Sequence, residues 1–134
     1  MDSLTSYVTD WFHNREFFPY FSPGGWRINA AWLEEEERSR PGFTSALRDL
    51  ALQYLQSGTS EVKVKALRVL ATTADEHDIA QITSLVASEA EPVRTEARRA
   101  LRRIKYRNSP MRPFVVAIIV MVTFAALILA FLTR

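Results

Sequence analysis

Residues 61–70, EVKVKALRVL, and residues 92–101, PVRTEARRAL, carry one apolar pattern twice. Val62, Ala66 and Leu70 return at the same spacing as Val93, Ala97 and Leu101, with a basic residue, Lys63 or Arg94, after the first valine. Steps of four place each trio along one stripe of a helix. Working outward, residues 43–107 read as four consecutive helices. The first covers residues 44–56, with Leu47, Leu50, Ala51, Tyr54 and Leu55 on one face and Gly58 just past its end. The second opens at Ser60. The third carries Ile79, Ile82, Leu85 and Val86, and the break at 88–92 leads into the fourth, with Val93, Ala97, Ala100, Leu101 and Ile104. The expected class is all-α.

The stripe of valine, basic residue, alanine and leucine resembles the short HEAT repeat, including the variety found in phycobilisome-lyase-like proteins, over residues 43–104. The resemblance implies antiparallel helix pairs stacked with a right-handed turn and used to hold other proteins. It covers two repeats, whereas about three are needed to bury a continuous core. An unrelated four-helix bundle with a fortuitous repeat is the alternative.

Downstream, residues 113–132 read PFVVAIIVMVTFAALILAFL, without a charge and with Thr123 as the one polar side chain. A helix of that length spans about 30 Å, so a C-terminal transmembrane helix is expected, joined by a short linker at 108–112. Thr123, Ala126 and Ala130 share one face and would let a partner span approach closely. Residues 91–112 hold eight basic and two acidic side chains, whereas residues 1–42 hold four basic and seven acidic. The positive-inside rule then puts the N-terminal part on the matrix or cytoplasmic side, in a mitochondrial inner membrane or alternatively a bacterial cytoplasmic membrane. Arg102, Arg103, Lys105, Arg107 and Arg112 would meet anionic lipid headgroups.

Upstream, residues 1–42 form an aromatic-rich arm. Asp2 or Ser3 caps a first helix whose stripe is Leu4, Tyr7, Val8, Trp11 and Phe12. Pro19, Pro23, Gly24 and Gly25 interrupt regular structure after it. A short helix capped by Asn29 follows, carrying Trp32 and Leu33 before four glutamates at 34–37. Leu4, Tyr7, Val8, Trp11, Phe12, Phe17, Phe18, Tyr20, Phe21, Trp26 and Trp32 need burial, and docking into partner subunits is the expected outcome. Folding back on the helical domain, or lying in a membrane interface, are the alternatives.

Chemical signatures are weak. The chain has no cysteine, which excludes disulfides, thiolate metal sites and a cysteine nucleophile. Its glycines form no phosphate loop, and His13 and His77 lack ligand-like spacing, so no metal and no cofactor are implied. The arginine cluster lacks interleaved aromatics, which argues against nucleic acid. No cleavable targeting signal is legible. The expected function is a non-catalytic accessory subunit of a larger membrane complex of respiratory type, with no small-molecule substrate. The alternatives are a tail-anchored adaptor gripping a soluble partner with its helical repeats, and a cofactor-binding or enzymatic subunit.

Overall fold

The computed structural model describes residues 3–107 and 112–133, with the side chains of residues 112–115 outside that description. The linker expected at 108–112 and the cap expected from Asp2 fall wholly or largely outside the described residues. Seven α-helices are described: α1 (Ser3–Asn14), α2 (Gly25–Ser39), α3 (Phe43–Ser57), α4 (Ser60–Thr73), α5 (Ile79–Val86), α6 (Val93–Arg107) and α7 (Arg112–Leu132). A single 3-10 turn, Glu76–Asp78, precedes α5.

The turns from α2 to α3 and from α3 to α4 have visible physical causes. Gly42 takes φ 91, a left-handed conformation that side-chain-bearing residues disfavour, and turns the chain from α2 into α3. Its N–H and that of Thr44 donate to the Glu37 carboxylate at 2.9 and 2.8 Å, so the end of α2 caps the start of α3. Gly58 ends α3 as expected, but its φ is −81. Glycine is required there because a Cβ would lie 2.6 Å from the Tyr54 carbonyl oxygen. Thr59 caps α4, its hydroxyl accepting from the Val62 N–H at 3.3 Å.

Side-chain pairings give the helix directions. Tyr7, early in α1, donates to Glu36, late in α2, at 2.8 Å, and Arg15 beyond α1 lies 4.9 Å from the Trp32 ring, so these helices run antiparallel. Arg48, near the start of α3, reaches Asp78 beyond the end of α4 at 3.6 Å, which makes that pair antiparallel too. Helices α4 and α6 run parallel. Lys63 pairs with Glu89 before α6, Arg68 with Glu96 at 3.5 Å, and the α4 C-terminus meets Arg107. Helix α1 packs on α3 and α3 on α5, while α4 packs on α6 and, more lightly, on α2. The result is three helix pairs in two rows.

One continuous core joins all three pairs. Phe12, Phe43, Leu47, Leu55, Leu67, Leu70, Ile82 and Ile104 are the largest of its fully buried apolar side chains. Trp11 sits edge-on to Phe17 and Phe43, with ring centroids 5.4 and 5.1 Å away. Edge-to-face aromatic packing of this kind adds about 0.5–1.5 kcal/mol per pair beyond area burial. The N-terminal segment is therefore the first layer of the body, where a separate arm had been expected. It supplies a third layer beside the two carrying the internal repeat.

Two further expectations are corrected. Asn29 does not cap a helix: α2 begins at Gly25, and buried Asn29 pins the preceding loop. Its amide donates to the Phe18 carbonyl at 2.8 Å and its side-chain oxygen accepts the Phe18 N–H at 3.3 Å. The second correction concerns α7. Among the described residues no helix is long and apolar enough to cross a membrane. The transmembrane helix at 113–132, and the integral membrane placement in a mitochondrial or bacterial membrane that depended on it, do not stand.

Candidate interaction site

The fold brings the loop after α1 and the first turn of α2 onto the basic face of α6. The Arg99 guanidinium lies 4.2 Å from the centre of the Phe21 ring. Arg103, one turn further along α6, lies 5.1 Å from the Trp26 ring and 5.9 Å from Tyr20. Arg27 covers Trp26 at 5.2 Å. Three cations and three aromatic rings thus share one surface, with Phe21 51% and Trp26 40% exposed. Elsewhere Arg40, Arg48, Lys63, Arg68 and Arg98 are each paired with a carboxylate. Among the described residues, Arg27, Arg99 and Arg103 have no such partner.

The expected partner-docking residues divide into two groups. Val8, Trp11, Phe12 and Phe17 are buried in the core, and Leu4, Tyr7 and Trp32 pack against it, which corrects their assignment to a partner. Phe18, Tyr20, Phe21 and Trp26 keep exposed or half-exposed faces.

The expected headgroup residues divide as well. Arg107 donates to the carbonyls of Ala71 at 2.9 Å, Thr72 at 2.6 Å and Ala74, satisfying the open end of α4. Burial holds its guanidinium below the usual arginine range. Its headgroup role is corrected to that of a helix clamp. Arg103 lies over rings, Arg102 and Lys105 are exposed, and the Arg112 side chain is outside the description.

The apolar tail helix has a different character. All described side chains from Val116 to Thr133 are exposed, Phe131 by 79% and Met121 by 70%. The Thr123 hydroxyl donates to the Ile119 carbonyl at 2.8 Å, so the helix's polar group is satisfied within it. Thr123, Ala126 and Ala130 do share a face, and among the described residues no helix packs along it.

The histidines are held apart. His13 Nε2 lies 2.9 Å from the Tyr54 hydroxyl, whereas His77 is exposed within the 3-10 turn. His13 also edges an open cleft of about 630 Å³ with Glu16, Glu61, Lys65 and Arg68. Burial pushes the Lys65 ammonium below its ordinary range, and Glu16 opposes that. Among the described residues no group of three metal-ligating side chains is assembled.

The arginine–aromatic surface is not legible in the sequence because its members are far apart in the chain. The exposed aromatics at 18–26 and the unpaired arginines of α6 were separate signals, and only the fold joins them. No protein-family model, curated protein or solved structure matches the chain.

Proposed function

We propose that this chain is a non-catalytic accessory subunit of a larger protein assembly, in which helices of partner subunits cover α7. The observation that carries the reading is the exposure of an apolar helix on every side. A helix apolar all round belongs in the core of a large protein or in a membrane span. Among the described residues no helix is long and apolar enough to cross a membrane, and covering by partner helices is the reading that the exposure of α7 supports. Burying a large apolar side chain is worth about 1.5–3 kcal/mol, so leaving the Val116–Leu132 set in water would be strongly unfavourable. The finer expectation of a respiratory-type complex leaned on a membrane setting and has no other support in the molecule.

The three stacked pairs serve as the body of such a subunit, in the manner the HEAT resemblance implies. Their parallel α4 and α6 and their two-row order support that resemblance. One observation also favours an adaptor that binds a soluble partner through its helical layers. The aromatic segment closes the chain's own core, so residues 3–107 have no evident need of a partner in order to fold.

A photoreactive amino acid placed at Leu127 tests the proposal in cells that express the full chain. Crosslinks to one defined polypeptide, co-eluting in constant ratio in mild detergent, are expected. Crosslinks to lipid alone, with the chain eluting free of other polypeptides, would overturn it.

A further inference from the structure

Three guanidinium groups with no carboxylate partner among the described residues each lie within about 6 Å of an aromatic ring on one surface. A guanidinium attracted to a ring by its charge keeps N–H donors for another partner, and those donors match a carboxylate in forked geometry. Arg99 and Arg103 sit one helical turn apart, on Phe21 and on Trp26 with Tyr20. Arg27 joins them from α2, 5.2 Å from the centre of the Trp26 ring. Phe21, Trp26 and Ile28 offer exposed apolar surface beside these charges. Arginine, tryptophan and tyrosine together are the composition of protein-binding hot spots.

We propose that Arg27, Arg99 and Arg103, with Phe21 and Trp26, form the docking site for a short acidic segment of a partner protein that also carries an aromatic or leucine side chain. The carboxylates would take the guanidinium donors, and the apolar side chain would lie against the exposed ring edges. A long polyanion suits the site less well. Glu34 and Glu35 are exposed further along α2, about 12 Å from Trp26, close to the screening length of about 10 Å. A strand of phosphates running along α2 would meet that negative charge, whereas a short segment would not. The inference names one partner of the assembly proposed above and rests on that reading for the existence of a partner. Its location is independent of α7.

The test uses the full chain in a mild non-ionic detergent. The probe is a fluorescein-labelled synthetic peptide of glutamates interrupted by two phenylalanines, with an all-glutamine counterpart as control. Saturable binding of the glutamate peptide is expected, weakening as salt is raised. The glutamine peptide should not bind. The double variant Arg99→Gln, Arg103→Gln should bind about tenfold or more weakly with an unchanged melting temperature. Arg94→Gln, exposed and on another face of α6, should bind as the parent does. Absence of binding by the parent, or equal binding by the double variant, would overturn the proposal. So would arginine-dependent binding to phosphatidylserine in mixed micelles with that detergent, or to oligothymidylate, in preference to the peptide. Crosslinking through α7 is read separately, so its failure and the failure of this site are distinguishable.

Discussion

Two charged side chains do structural work at helix ends. Glu37 accepts N–H groups from both Gly42 and Thr44, and these backbone bonds hold its carboxyl below the ordinary glutamate range. A depressed folded value means the contribution is present at neutral pH and is lost as pH falls through that folded value. Glu37→Ala should cost about 1–2 kcal/mol at neutral pH, as loss of a helix cap does, read by urea unfolding. The difference between parent and variant should shrink in acid, and a difference that grows there would contradict the cap. Arg107 holds the opposite kind of end, donating to three carbonyls at the close of α4. Arg107→Ala should destabilise by about 1.5–3 kcal/mol because charged donors are lost from partly buried carbonyls. Arg107→Lys should recover only part of this, since an ammonium lacks the guanidinium's planar fork. Full recovery by lysine would return Arg107 to the role of a simple surface charge.

At the scale of elements, the helices of the second and third pairs were legible because their apolar stripes recur at helical spacing. Leu47, Ala51 and Leu55 mark α3, Ala66 and Leu70 mark α4, and Val93, Ala97 and Ala100 mark α6. The start of α2 was not legible. Asn29 looks like a cap by local rules, but its amide is used by the Phe18 backbone, a tertiary bond that no local rule registers. The fate of α1 was illegible for a related reason. Its stripe of Val8, Trp11 and Phe12 shows that a face must be buried, without saying against what, and the structure lays it along α3. The consequence is measurable. Trp11→Ala with Phe12→Ala removes two core aromatics, and each such truncation typically costs 3–5 kcal/mol, about as much as a small domain has to spare. A fall of many degrees in melting temperature, or failure to fold, is expected by circular dichroism. An unchanged melt would mean that the first pair is not part of the core.

At the scale of the whole molecule, the chain divides by what satisfies its apolar surface. Residues 3–107 bury most of theirs in one cluster that runs through three helix pairs, leaving Phe21, Trp26 and Ile28 at the surface. Helix α7 buries none of its described side chains. The two parts should therefore separate cleanly. A chain ending at residue 107 should stay monodisperse without detergent and melt cooperatively, because its core lacks no side chain from α7. The same truncation should abolish co-elution with the assembly, while binding of the glutamate peptide at Arg99 and Arg103 should persist. Light scattering, thermal melting and peptide titration on that one variant read the three outcomes independently. Aggregation of the truncated chain would mean that the layers need α7 or its partners to fold. Retained co-elution would mean that the stacked helices, and not the tail, hold the subunit in place, which is the behaviour of an adaptor.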